Sequence, residues 1–177
     1  VQNIVGVAAL LFSLNLVTHE QFAKAVESFK GIKRRLDRKS EKTSIPIYEG
    51  FGSSYEKAKS AIAAIKFHYP TKRLKVVFEP HTFSWRNRAS LPWYDTVFEG
   101  AAKVFIYEPA KQGTSTHAQL TQEEIVSRAK TAGFDVVPLR GPDIGLEKND
   151  VVLILTSGNL GGYIEPIIAL AAQKFPA

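Results

Sequence analysis

The sequence predicts an α/β fold, a mostly parallel Rossmann-like sheet with helices on both faces, preceded by a helical segment. Two observations carry this. From about residue 44 onward, short apolar runs of strand length alternate with helix-length stretches, the spacing of parallel strands joined by crossover helices. Before that, the first thirty residues hold no strand pattern but an Ala-, Leu- and Val-rich stretch and a helix-start signal.

In chain order, residues 4–16 read as a first helix. Thr18-His19-Glu20-Gln21 has the Thr-x-x-Gln form of a capping box and opens a second one. From Phe29 to Lys42 the apolar pattern lapses and the charge turns positive, which predicts a domain boundary. Strands are then expected at Ser44–Tyr48, Leu74–Glu79, Lys103–Tyr107, Val136–Leu139 and Val151–Thr156. Helices are expected at Tyr55–His68, Arg88–Gly100, Gln122–Ala132 and Tyr163–Lys174. Ser54 and Thr121 suit the N-cap position, and Glu124 completes a second capping box with Thr121. The stretch Pro109–Leu120 reads as a mobile surface loop.

The 177 residues suit one domain, or one domain with a piece of a neighbour, and the 45% hydrophobic and 23% charged composition is that of a globular protein. An excess of 23 Lys and Arg over 17 Asp and Glu favours anionic ligands but is too small to argue for nucleic acid. No Cys is present, which excludes disulfides and thiolate metal sites and fits a cytoplasmic protein. The apolar run Val7–Phe12 is too short to span a membrane. With Val at position 1 and no Met anywhere, the chain is expected to be a piece of something longer.

In an open parallel sheet, ligands sit beyond the carboxyl ends of the strands. That rule selects three loops: Glu49–Tyr55, Pro80–Asn87 and Ser157–Gly162. The first is a glycine turn with the hydroxyls of Ser53 and Ser54. The second presents His81, Thr82, Ser84, Trp85, Arg86 and Arg88, donors suited to a carboxylate or phosphate. In the third, Ser157-Gly158-Asn159 opens a strand-to-helix turn whose N–H groups can meet an anion or can simply turn the chain. The basic run Lys30, Lys33, Arg34, Arg35, Arg38 and Lys39 fits either phosphate contacts or a solvated face. His19, His68 and His117 have no ligand spacing, so no metal site is expected, and neither a phosphate loop nor a nucleophile elbow is present.

Taken together, these segments resemble the C-terminal part of a Mur ligase, the ATP-dependent family that adds amino acids or peptides to UDP-N-acetylmuramate in peptidoglycan synthesis and recycling. "NIVGVAALL" resembles the family's "NxxNAxAA" helix, and "FKGIKRR" its "FxGxxxR" junction. "IPIYEGFGSSYEKAKSAIAAIKFHYP" is similar to the "DD-[FY]-A-H-x-P" loop with its helix, "VVFEPHTFS" to the "xFxPHxxS" strand end, and "LTSGNLGG" stands in the place of the final glycine loop.

The resemblance implies that residues 1–30 are the helical tail of a central ATPase domain and 31–177 the substrate-binding C-terminal domain. The phosphate loop and Mg2+ ligands, hence most of the ATP site, would lie in domains upstream of Val1, so no catalytic residue is expected here and the piece alone should be inactive. Asn3 and Arg35 would contact the nucleotide. Phe51, Ser53, Ser54, His81, Thr82, Ser84, Arg86, Ser157, Gly158 and Asn159 would hold the nucleotide-sugar and the incoming amino acid or peptide.

Several positions depart from the pattern. The family's second Asp falls on Gly50, its His on Ser53 and its Pro on Tyr55, and arginines of the alanine-adding members fall on Thr82 and Trp85. The second Asn of the central-domain helix falls on Gly6. Phe-Glu-Pro at 78–80, in place of Phe-Gln-Pro, leans toward the tripeptide-recycling branch. Two alternatives stay open: a non-catalytic Mur-like binding module, and an amide ligase acting on another carboxylate.

Overall fold

The computed structural model describes residues 2–29, 35–110 and 119–177. Lys30, Lys33 and Arg34 of the basic run, and residues 111–118 of the long loop with His117, lie outside the described residues. The chain divides into two compact units, Val1–Ile32 and Lys33–Ala177.

The first unit is two helices, α1 (Gln2–Ser13) and α2 (His19–Ser28). The capping box forms: Thr18 Oγ1 accepts the Gln21 N–H at 3.2 Å, and the Gln21 side chain accepts the Thr18 N–H at 2.9 Å. Together these satisfy two of the amides that a helix start leaves orphaned, and removing such a cap costs about 1 kcal/mol. Phe12 packs on His19 and Phe22 across the turn, with ring centroids 4.4 and 5.4 Å away. Ile4, Val5, Val7, Leu10, Leu14 and Leu16 nevertheless remain exposed.

The second unit is built on a six-stranded sheet: β1 (Arg35–Arg38), β2 (Ile47–Gly50), β3 (Arg73–Phe78), β4 (Lys103–Ile106), β5 (Val136–Pro138) and β6 (Asp150–Leu155), in the order β1-β2-β6-β3-β4-β5. All pairings are parallel except β1 with β2. Its helices are α3 (Tyr55–His68), α4 (Phe83–Arg86), α5 (Gln122–Thr131) and α6 (Ile164–Lys174). Side chains alternate across β6: Val151, Leu153 and Leu155 enter a core with Phe78 and residues of α3 and α5, while Val152 and Ile154 meet Ile167 and Ala171 of α6 on the other face. No helix among the described residues is long and apolar enough to cross a membrane.

The last four expected strands and the helices α3, α5 and α6 lie within one residue of their expected bounds. Three elements differ. The strand expected at Ser44–Tyr48 starts at Ile47, because Thr43 and Ser44 pair with the chain's end instead: Thr43 bridges Pro176, and the Ser44 N–H donates to Phe175 O. In place of the helix expected at Arg88–Gly100 runs a 3-10 stretch, Arg88–Asp95, whose Pro92 supplies no N–H to an α-helical ladder, and the single turn α4 precedes it. And the charged boundary contains a strand, β1, whose Arg-Leu-Asp-Arg sequence is too short and too charged to read as one. A bulge falls between Arg35 and Asp37, and Leu36 there adopts φ 56°, a left-handed conformation that costs a bulky residue roughly 1–2 kcal/mol.

At the amino end of the sheet, Lys75 and Asp150 are both buried and 2.7 Å apart. Lys75 Nζ also donates to Gly145 O at 2.5 Å, and Asp150 accepts the Glu147 N–H at 2.8 Å, which pins the β5–β6 crossover under the sheet.

Candidate functional site

The chain leaves β2 and β3 toward the face covered by α3 and α4, but leaves the intervening β6 toward the face covered by α6. Loops that part in this way open a crevice at the carboxyl edge of the sheet, the usual ligand position in such folds. The three loops flanking it are those the sequence selects.

They are tied together by side chains. Trp85, fully buried, donates from Nε1 to Gly52 O at 2.8 Å, and Thr82 Oγ1 donates to Ser53 O at 3.0 Å, so the second loop is stitched to the first. Thr82 and Ser84 hydroxyls lie 3.1 Å apart. Trp85, one of the departures from the resemblance, is core: it packs edge-on against Phe78, with centroids 4.8 Å apart. Burial of a ring this size contributes on the order of 2–3 kcal/mol.

The third loop is joined through Glu79. This carboxylate, 5% exposed, accepts from the Thr156 hydroxyl and, through Oε2, from the Leu160 N–H at 3.0 Å. Thr156 Oγ1 in turn accepts the Gly158 N–H at 2.9 Å, and Asn159 Oδ1 accepts the Gly161 N–H at 3.1 Å. A Cβ at Gly158 would lie 2.7 Å from both Glu79 oxygens, so a larger residue there would push this carboxylate from its seat. The turn is thus an anion cradle already holding one of the chain's own carboxylates. Within the described residues, no hydrogen bond uses the N–H of Ser157 or Asn159.

Arg86, expected among the substrate contacts, is buried at 5% exposure and bound to carbonyls, Nε to His81 O and Nη1 to Ala110 O, both at 3.0 Å. It shapes the loop from beneath, and Arg88 is paired with Glu124 at 2.6 Å. His81 is half-buried and closes a tight turn by donating its N–H to Glu79 O at 2.8 Å. Ser54 occupies the N-cap position of α3, but its side chain makes no capping bond. Asn3 lies exposed on α1, in the first unit.

Beside the first loop lies a cavity of about 700 Å3, lined by Arg35 and Leu36 of β1, Gly50, Phe51, and Glu56 and Lys57 of α3. On β2 next to Gly50, Glu49 is buried and meets Lys39 at 3.2 Å. Lys39 is held above its ordinary pKa, chiefly by hydrogen bonding to Asp37 and, against the opposing effect of burial, by Glu49. Across the third loop, burial and then the neighbouring Tyr163 and Glu79 push the Tyr107 hydroxyl upward. No cluster of three or more His, Asp or Glu suited to a metal occurs among the described residues.

Sequence reasoning missed Glu79 as a site residue, and with it Thr156 and Lys57. An acidic residue closing the otherwise apolar strand Val76-Val77-Phe78 is the signal that could have pointed to Glu79.

A scan against protein-family models finds no match. The chain is similar to the UDP-N-acetylmuramate–L-alanine ligase of Desulfotalea psychrophila, with 28% identity over 178 residues, 96% of this chain and 39% of that protein. The corresponding enzyme of Solidesulfovibrio magneticus is 35% identical over 147 residues, 78% of this chain and 32% of the relative. Among solved structures, the UDP-N-acetylmuramate–alanine ligase of Thermotoga maritima shares the fold, with a TM-score of 0.77 at 17% identity over 97% of this chain and 37% of that one. The chain therefore spans well under half the length of the curated relatives it matches.

Proposed function

Since the chain belongs to the Mur ligase family and corresponds to the C-terminal region of its members, we propose that it is the substrate-binding part of an ATP-dependent ligase joining an amino acid or peptide to UDP-N-acetylmuramate. The observation that carries this reading is that three loops, fixed to one another by Trp85, Thr82 and Glu79, meet at the carboxyl edge of the sheet, where such folds bind ligands. Rigid loops of this kind hold a nucleophile in register with its electrophile, which is most of what an amide ligase asks of its acceptor domain.

In this proposal residues 1–30 are the tail of a preceding ATPase domain, and the exposed apolar side chains of α1 are the surface that domain covers. Asn3 and Arg35 contact the nucleotide. ATP supplies the phosphoryl group that activates the muramyl carboxylate, with Mg2+ held by the upstream domains. The hydroxyls of Ser53, Thr82 and Ser84, the ring of Phe51, the imidazole of His81 and the free N–H groups of Ser157 and Asn159 receive the acceptor. Ser54, Gly158 and Arg86 shape these loops.

Gly50 and Ser53, at the positions of a family Asp and His, favour a second reading, a Mur-like module that binds a nucleotide-sugar without catalysis. One experiment separates the two. The longer polypeptide carrying this chain is mixed with ATP, Mg2+, UDP-N-acetylmuramate and, separately, L-alanine, glycine, L-serine and the recycling tripeptide, with products read by mass spectrometry. An amide product with one amine supports the ligase and names its acceptor; tight binding of the nucleotide-sugar with no product from any amine supports the module.

A further inference from the structure

Several cations of the second unit face a carboxylate. Lys39 meets Asp37 and Glu49, Lys59 meets Glu99, Lys75 meets Asp150, and Arg128 meets Asp95. Arg35 and Lys57 do not: among the described residues neither has a carboxylate within 4 Å, and both line the cavity beside the first loop. The one acid on the same wall is Glu56, so the lining carries a net positive charge.

Lys57 is also held in place. Its Nζ donates to Ser53 Oγ at 3.1 Å, one helical turn back along the chain, which turns a flexible side chain toward the loop instead of leaving it free in solvent. Across the cavity, Arg35 sits at the β1 bulge beside the left-handed Leu36, backbone strain of the kind that accumulates at ligand clamps. Between the two cations, Leu36, Phe51 and Ala61 supply an apolar lining. Cations set around an apolar wall, in a space of about 700 Å3, suit a ligand with a flat ring system and a phosphate chain.

We infer that Lys57 is a second cationic contact, beside Arg35, for the phosphates of a nucleotide entering this cavity, with Ser53 as the residue that orients its ammonium. The inference rests on the proposed reading of Arg35 as a nucleotide contact. It gives Ser53 a second role beside the acceptor contact proposed above, since its hydroxyl also holds the Lys57 ammonium.

The test measures binding of ADP, inorganic tripolyphosphate and adenosine to the longer polypeptide by calorimetry, for the parent protein and for Lys57→Met, Lys57→Arg, Ser53→Ala and Arg35→Met. Lys57→Met is expected to weaken ADP and tripolyphosphate about tenfold, the worth of one charge-assisted hydrogen bond. It should leave adenosine unchanged and the melting temperature intact, because the side chain is exposed. Lys57→Arg should retain most of the affinity, and Ser53→Ala should lose a smaller part of it. Loss with Arg35→Met but not with Lys57→Met would overturn the assignment of Lys57 while leaving the reading of Arg35 standing. Unchanged phosphate affinity in both would overturn both, and an equal fall for adenosine would mark Lys57 as structural.

Discussion

Glu79 Oε2 accepts the main-chain N–H of Leu160 at 3.0 Å, across 81 positions of sequence. The same carboxylate takes the Thr156 hydroxyl, so the ends of β3 and β6 and the turn after β6 move as one body. Glu79→Ala would strand two buried donors, at a cost of about 1–3 kcal/mol each, whereas Glu79→Gln keeps an acceptor in place. The alanine variant is expected to melt several degrees below the glutamine variant in a circular-dichroism scan, since each kcal/mol corresponds to roughly 2–4 °C in a domain of this size. Equal melting temperatures would mean that the carboxylate does not fasten the turn.

Lys75 and Asp150 offer a contrasting case at the opposite edge. Breaking a buried pair leaves an uncompensated charge, so Lys75→Met alone should lower stability by about 3–5 kcal/mol. The double variant Lys75→Met with Asp150→Leu should recover much of that, and urea denaturation of the three proteins measures the difference. A double variant as unstable as the single would show that the crossover depends on the polar contacts themselves.

Acid should loosen the second unit in a predictable direction. The Arg128 guanidinium holds Asp95 below its ordinary pKa of 3.8, through hydrogen bonding first and charge second. Glu124 is lowered from 4.5 by the Thr121 N–H of its capping box and by Arg88. A carboxylate whose pKa is depressed by folding stabilises the native state above its unfolded value, and the contribution is lost as pH falls through the folded one. Stability should therefore decline with acidification below about pH 4, and Asp95→Asn with Glu124→Gln should flatten that limb. A limb as steep in the double variant would assign the acid sensitivity elsewhere.

On the proposed ligase reading, Arg35→Ala in the longer polypeptide should lower turnover far more than it lowers the melting temperature. The residue is exposed on a four-residue border strand and holds no core contact that its loss would expose. Parallel losses of both would identify a structural arginine.

How far the sequence could be read depended on distance along the chain. Helix α3 lies over the expected Tyr55–His68, and both capping boxes formed, because a cap involves residues three apart and the apolar spacing of a helix is local. The carboxyl-edge loops were legible from where the strands were expected to end and from the glycines and donors that follow them. What escaped were the partners: that Arg86 turns under its loop to the carbonyls of His81 and Ala110, that Trp85 is core, and that Glu79 fills the cradle at Leu160. Nothing near a side chain in sequence specifies a partner dozens of residues away. Strand β1 was hidden for another reason, since its four residues, charged at both ends, hold no apolar run from which a strand can be read.

The two border strands of the sheet have a consequence for handling the isolated piece. One border is four residues long, charged at both ends and kinked by its bulge; the other is three residues long and finishes on Pro138, which has no N–H to donate. Among the described residues neither offers a long, regular ladder for a second molecule to extend, which disfavours stacking of copies strand upon strand. Self-association in a concentrated sample should instead proceed through the greasy surface of α1, and exchanging Leu10 and Leu14 for glutamate should abolish it while leaving the sheet untouched.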